Sequence, residues 1–367
     1  MVAVADELRR MAPSLELVFV GTERGLESKI VPESGYRLEL VEVEPIRGRG
    51  LWGAVKGAKR AAASIPQARR MLERLAPKAV FSIGGYAAGP MSLAARSLGI
   101  PLALMEPNSV IGLANRLIAP WVQRAYTCFP EVEKHFPAAS VLRTGVAIRR
   151  GFEPVEYGYD GETLKVLILG GSQGAKSLND TLPRALHESR ATLRVTHQAG
   201  KGHDAQVREL YEQLGADVGS VQVVPFINEM PTAIARADLV IGRSGAGAVS
   251  EICAVGRPSL LIPYPYASGD HQFKNASRLV DKGAAVCLRT EQATVPALTQ
   301  AIDELASDPA RLRAMAAAAT ALGRPDAAEA VAADLLDLGN IQFDEQPGDG
   351  DFDDSPGDAS PAPSEVH

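Results

Sequence analysis

Three cysteines in 367 residues leave little room for sulfur chemistry. Cys128, Cys253 and Cys287 show neither paired nor metal-like spacing, which suits a reducing cytoplasm. No apolar run is long enough to span a bilayer and no signal peptide opens the chain, so a meeting with a membrane is expected at its surface. The turn at Gly170-Gly171-Ser172 lacks the G-x-G-x-x-G order of a dinucleotide fold, with no acid at the expected distance downstream. The lysine-bearing P-loop pattern is missing too. No recognition motif accompanies the basic residues, which argues against nucleic acid.

What is present is a chain 46% hydrophobic, long enough for two domains with cores of their own. The formal charge of −6 is unevenly placed. Residues 341–367 carry eight acids and no Lys or Arg, so the remaining body is near neutral. That tail, rich in Pro, Gly and Ser, is expected to be disordered, and Asp349-Gly350-Asp351 within it reads as tail rather than metal site.

Along the chain, Val2 to Met11 reads as an amphipathic helix and Leu15 to Val20 as a strand. Residues 47–78 hold nine basic residues against one acid, Glu73, with Leu51, Trp52, Val55 and Ile65 interleaved. That pattern fits either an anionic membrane surface or a solvated helix face. Strands at Ala79 to Ile83, Pro101 to Met105, Arg124 to Cys128 and Ser140 to Leu142 complete a first βα domain, residues 1–149. A linker covers 150–162. The alternation then restarts, with strands at Leu164 to Leu169, Leu193 to Thr196, Val221 to Val224, Leu239 to Ile241, Ser259 to Ile262 and Ala285 to Leu288. The second domain is placed at 163–338, ending in one alanine-rich helix from Pro309 to Leu338, with the tail at 339–367. The fold class is α/β, two Rossmann-like domains.

The sharpest stretch runs from Leu239 to Ile252. A buried strand leads through Gly242, Gly245 and Gly247 into a helix whose first amides and partial positive charge favour an anion, most naturally a phosphate. Glu251, about one turn in, could accept hydrogen bonds from two neighbouring hydroxyls, as on a ribose. Any αβ unit needs some such turn, which is the plainer reading. Gly170-Gly171-Ser172 opens a second helix as another anion cradle, with Ser172 able to donate. Asp270-His271-Gln272 follows a strand and a proline-rich turn, where polyol recognition or a plain N-cap by Asp270 would fit.

Taken in order, Gly84-Gly85-Tyr86 with Gly89-Pro90, Glu106 with Asn108, Gly170 to Ala175, Phe226-Ile227 with Met230, Arg243 to Ala246, Val249-Ser250-Glu251 and Asp270-His271-Gln272 with Asn275-Ala276 resemble the MurG family. The resemblance spans roughly residues 1–338. It implies the GT-B arrangement, two Rossmann-like domains facing a cleft, without metal or other cofactor. It implies inverting transfer of N-acetylglucosamine from UDP-N-acetylglucosamine to undecaprenyl-diphospho-N-acetylmuramoyl-pentapeptide, lipid I, giving lipid II for peptidoglycan. By that likeness Glu251 holds the uridine ribose and Ile227 lies by the uracil. Ala246, Gly247, Ala248, Val249 and Ser250 lie over the diphosphate, with Ser172 and Arg149 beside it. Gln272 and Asn108 place the sugar, and the Gly84-Gly85-Tyr86 turn faces the acceptor. Residues 47–78 match the region that docks on the anionic inner leaflet, so the likeness tips that stretch toward the membrane. It places the protein peripherally on the cytoplasmic side of the cell membrane, with division and elongation proteins as partners.

The sequence departs from that pattern at Pro107, where the family has glutamine, and at Val146-Ala147, where it has asparagine-proline. The resemblance also implies an opening strand and a glycine-rich turn bearing a histidine, the usual general base, and this chain starts after them. A start codon assigned too late is favoured over a real truncation as the account, and no catalytic base is assigned. Two rival readings stand beside transfer: a GT-B-fold UDP-N-acetylglucosamine 2-epimerase, and a nucleotide-sugar-binding scaffold without catalysis.

Overall fold

The computed structural model describes residues 1–23, 25–41, 64–85, 87–171, 174–217 and 219–342. Tyr86, Ser172, residues 47–63 of the basic stretch and nearly all of the acidic tail lie outside the described residues.

The second domain is a six-stranded parallel sheet. Its strands are β7 (Leu164–Leu169), β8 (Leu193–Gln198), β9 (Val221–Val224), β10 (Leu239–Gly242), β11 (Ser259–Leu261) and β12 (Ala285–Cys287). Their order is β12-β11-β10-β7-β8-β9. β7 and β10 are apolar because helices cover both faces, as parallel sheets require. On one face α6 (Lys176–Glu188), α7 (Asp204–Gln213) and α11 (Val295–Ala306) bury Leu178, Leu182, Val207 and Ile302 against Val166, Ile168 and Val195. On the other, α8 (Met230–Arg236) and α9 (Ala246–Val255) bury Ile234, Ile252 and Val255 against Leu167, Leu169 and Val240. The strand order reverses between β7 and β10. The loops leaving those two strands therefore diverge and open a crevice at the carboxyl edge, the usual ligand position in such sheets.

The first domain holds two parallel sheets rather than one. β1 (Val18–Gly21) pairs only with β2 (Arg37–Leu40), while β3 (Val80–Ser82), β4 (Leu102–Glu106), β5 (Arg124–Thr127) and β6 (Val141–Leu142) form the other. β2 carries little signal in the sequence, because Arg37-Leu38-Glu39-Leu40 is short and charged on alternate residues. Among the described residues no hydrogen bond joins β1 to β3. Helices join the two sheets instead. α1 (Val2–Met11) sets Ala5 against Phe19, Tyr36 and Val31 of α2 (Glu27–Glu33), and Val4 against Ala103, Met105 and Tyr126. On another face α3, described over 64–75, packs Ala68, Met71 and Leu72 with Val20, Val80 and Met91 of α4 (Ala88–Ser97).

The expected terminal helix is two. α12 (Pro309–Leu322) stops at Gly323, where a Cβ would sit 2.6 Å from the Cys253 carbonyl, and Pro325 follows. α13 (Ala327–Leu338), which the sequence places at the end of the second domain, instead lies on α1 and β5 of the first. Asp334 accepts from the buried Tyr126 hydroxyl at 2.7 Å and from Arg124 Nε at 3.0 Å, while Glu329 meets Arg10 at 3.1 Å. The chain thus passes from first domain to second and returns.

Candidate functional site

β10 delivers the backbone to Gly242, and Arg243 then fixes the turn beyond it. Its guanidinium is half-buried and held through both Nη atoms. Nη1 donates to the carbonyls of Ile262 and Pro263 at 2.9 and 3.0 Å and to Thr290 Oγ1 at 3.0 Å, and Nη2 donates to Ser177 Oγ at 2.7 Å. Arg243 is therefore a staple between the exits of β10 and β11 and the start of α6, not a free cation. Ser244, fully buried, donates from Oγ to the Gln272 carbonyl at 2.8 Å. α9 then begins at Ala246 behind Gly245, and no side chain caps it. Its leading amides are left for an incoming acceptor. Nothing lies within 4 Å of where a Cβ would stand on Gly245 or Gly247, so the space above them is open. Ala246 and Val249 turn their side chains into the core and can offer only backbone, whereas Gly247 is exposed.

Glu251 sits on the same helix, partly buried. Burial raises its carboxyl above the ordinary glutamate value, and the positive charge of Arg149 works in the opposite direction. No described residue donates a hydrogen bond to it. A shielded, unsatisfied carboxylate with a cation nearby is suited to paired hydroxyl donors. Ile227 packs against the apolar cluster that contains Ile148, Phe152 and Ile252, and Arg149, next in sequence to Ile148, is exposed. Ser250 hydrogen-bonds the Cys128 thiol of the first domain, and burial pushes that thiol up to about 11.

At the second turn, Gly170 admits no side chain: a Cβ would stand 2.4 Å from the Gln198 carbonyl. A buried chain of polar groups anchors this turn from below. Asn179 Nδ2 donates to the Ala199 carbonyl at 2.8 Å, and its Oδ1 faces His197 Nε2 at 3.1 Å. His197 Nδ1 meets the Tyr211 hydroxyl at 3.2 Å. Burial lowers the His197 imidazole to about 4, so it is neutral at pH 7.

The Asp270 turn does not cap α10 (His271–Asp281): Asp270 has φ +56°, makes no cap bond and pairs with Arg289 at 3.0 Å. His271 Nδ1 lies 2.9 Å from the Ser268 carbonyl. Gln272 Oε1 accepts from the Tyr264 amide at 2.9 Å, which fixes the side chain and leaves its NH2 without a described acceptor.

Facing these from the first domain are the turns after β3 and β4. Gly84 and Gly85 have φ of +89° and +93°. A Cβ on Gly84 would stand 2.9 Å from Asn115 Oδ1, while Gly85 has open space. Glu106, buried at the end of β4, is consumed by its own neighbours. Oε1 accepts from the Asn108 amide at 3.2 Å, and Oε2 from the Gly112 amide at 3.0 Å and Asn115 Nδ2 at 2.8 Å. Its carboxylate shapes the loop rather than standing free. The loop meets α10 through Asn275, a residue marked in the sequence only as part of a motif. Among the described residues no group of three or more metal-ligating side chains is gathered.

The structure thus brings the charge of Arg149 to Glu251 on the helix that begins at Ala246, and packs Ile227 on the apolar cluster that includes Ile252 of the same helix. It sets Gln272 and Asn108 on elements that touch each other, and places Gly84 and Gly85 at the edge of the first domain.

Models of two protein families match this chain: the glycosyltransferase family 28 N-terminal domain over residues 1–127 and its C-terminal domain over 165–331. A Sorangium cellulosum (strain So ce56) protein is 50% identical over 343 residues, 92% of this chain and 84% of its own. One from Myxococcus xanthus (strain DK1622) is 38% identical over 342 residues, 92% and 88% of the two chains. Both are named UDP-N-acetylglucosamine--N-acetylmuramyl-(pentapeptide) pyrophosphoryl-undecaprenol N-acetylglucosamine transferase. Among solved structures, Acinetobacter baumannii MurG superimposes with a TM-score of 0.74 at 32% identity, over 92% of this chain and 94% of that one. A UDP-N-acetylglucosamine 2-epimerase superimposes at 0.63 with 15% identity over 95% of each chain, a likeness of fold alone.

Proposed function

The chain belongs to the MurG group of glycosyltransferase family 28, and we propose that it transfers N-acetylglucosamine from UDP-N-acetylglucosamine to an undecaprenyl-diphosphate-linked N-acetylmuramyl pentapeptide. The observation that carries the site assignment is the uncapped α9 turn with open space over Gly245 and Gly247 and an unbonded Glu251 one turn in. The α9 amides receive the diphosphate, Glu251 takes the two ribose hydroxyls, and Ile227 lies against the base. Arg149 adds positive charge beside them. Gln272 and Asn108 address the sugar hydroxyls.

The reaction is a single displacement with inversion. The acceptor hydroxyl oxygen bonds to the anomeric carbon while the bond from that carbon to the diphosphate oxygen breaks, and the electron pair leaves with UDP. The hydroxyl proton passes to a general base. Negative charge grows on the departing diphosphate, where the α9 dipole and Arg149 oppose it without reorganising.

A lipid-borne acceptor requires the first domain to meet a membrane surface. No described helix is long and apolar enough to cross one. α5 (Leu113–Ile118) nevertheless exposes Leu113 and Leu117 at 68% and 64%, and its Asn115 touches the Gly84 turn. His135 nearby is depressed by burial and by the positive charges of Arg116 and Lys134. Apolar groups among cations suit an anionic leaflet, and the positive charge that the sequence carries over residues 47–78 would add to the attraction.

The test is transfer itself. Purified protein, UDP-N-acetylglucosamine labelled in the sugar, and lipid I in detergent should yield labelled lipid, and UDP should raise the melting temperature. Free epimerised sugar nucleotide, or no protection by UDP, would overturn the reading.

A further inference from the structure

The side-chain amide of Asn275 is fully buried where the two domains touch, and every hydrogen-bonding position it has is occupied. Oδ1 accepts from the Ser109 amide at 3.1 Å and from Ser109 Oγ at 2.9 Å. Nδ2 donates to the Ser244 carbonyl at 3.2 Å and to Asn108 Oδ1 at 3.4 Å. Asn108 and Ser109 belong to the loop after β4 in the first domain, and Ser244 belongs to the α9 turn in the second. With α10 itself, one amide therefore joins three pieces of chain that must be in register when a sugar bound by one domain is attacked by a group bound to the other.

We propose that Asn275 is a positioning residue for sugar transfer, a cross-domain clamp that holds the Asn108–Ser109 loop of the first domain against the donor turn at Ser244. The proposal rests on the assignment of that turn to the donor diphosphate and of Asn108 to the sugar. Three features favour a clamp over ordinary packing. Asn275 lies three residues after Gln272 on α10, so the helix that orients one sugar-facing side chain also orients the other. Asn108 is gripped from two sides, because its Nδ2 reaches Glu106 Oε1 at 3.4 Å while its Oδ1 faces Asn275. The Ser109 hydroxyl is spent on Asn275, which ties that bond to domain approach rather than to loop shape. Displacement of reacting groups by about 1 Å can lower a rate by about 100-fold.

The clamp should be visible in a split between binding and turnover. In Asn275→Ala, kcat should fall about 30-fold while UDP affinity, set inside the second domain, stays within about threefold. Ser109→Ala, which approaches the same bond from the other domain, should lose about threefold, and the double variant should be no slower than Asn275→Ala. Small-angle scattering supplies an arm independent of activity: Asn275→Ala should show a larger radius of gyration than the parent, with the parent's cooperative melt retained. An unchanged radius with unchanged kcat, or a loss of UDP affinity matching the loss of kcat/KM, would overturn the clamp. Absence of UDP binding by the parent protein would instead remove the donor-site reading on which the clamp rests.

Discussion

Glu251 lies within reach of the charge of Arg149, yet no described residue donates a hydrogen bond to its carboxylate. Such a group is held ready at the expense of the empty fold. Replacing it by alanine removes the acceptor for two hydroxyls. Hydrogen bonds to a charged group are worth about 1.5–3 kcal/mol each, so UDP affinity should fall at least tenfold, as titration calorimetry would read. Unchanged affinity would move the ribose elsewhere.

The same carboxyl predicts opposite signs for stability and function. Its folded pKa is raised, so the folded protein takes up a proton more readily than the unfolded chain. The favourable contribution is present at low pH and is lost as pH rises through the raised pKa. Near pH 7 the ionised carboxylate is therefore a burden in the free protein. Glu251→Gln should melt roughly 2 °C higher than the parent without ligand, yet be stabilised less by UDP. Scanning fluorimetry with and without UDP tests both signs together.

His197 gives the reverse case. Its folded value of about 4 lies below the ordinary 6.5, so protons favour the unfolded chain. Its contribution is complete above pH 6.5 and is lost as pH falls toward 4, amounting to about 3 kcal/mol over that window. Urea unfolding at pH 7, 6 and 5 should show this slope in the parent. In His197→Ala the curve starts lower, because a cavity is left, but should be flatter by about one proton.

The Gly84-Gly85 turn, proposed to face the acceptor, can be probed without touching the proposed donor turn. Gly84→Ala must adopt φ +89° and push on Asn115, whereas Gly85→Ala meets only the backbone penalty. Gly84→Ala should thus reduce transfer about tenfold or more and Gly85→Ala less, with UDP affinity intact in both. Equal losses would show that the Asn115 contact is unimportant.

Removing Asp334 should detach α13. Asp334→Ala strands the buried Tyr126 hydroxyl and releases Arg124, at a cost of about 2–4 kcal/mol. Limited proteolysis should then release the segment beyond Gly323 sooner than in the parent.

The strands of the second domain are readable in the sequence because each is a short apolar run bounded by turn residues. Leu164 to Leu169 and Val221 to Val224 fall where the structure has them. The α9 turn is readable for a related reason, since Gly242, Gly245 and Gly247 stand out against an apolar background. Long-range partnerships are not readable. Nothing local to Asp334 announces Tyr126, more than 200 residues away, so α13 is drawn in sequence to the nearer domain. Nothing around Arg243 marks it as a staple, because its acceptors come from three separate segments. Asn275 carries a signal only in its spacing from Gln272, and its partner Ser109 lies in the other domain.

The return of α13 to the first domain has a mechanical consequence. Two strands of backbone cross between the halves, one near residues 150–163 and one near 323–327, so their relative motion is that of a door on two hinges. Rotation about the line through both crossings is the motion these connections permit once the Asn275 bonds across the seam are released, whereas sliding and twisting are resisted. Each opening and closing therefore retraces one path, and cutting either connection alone would leave the halves joined.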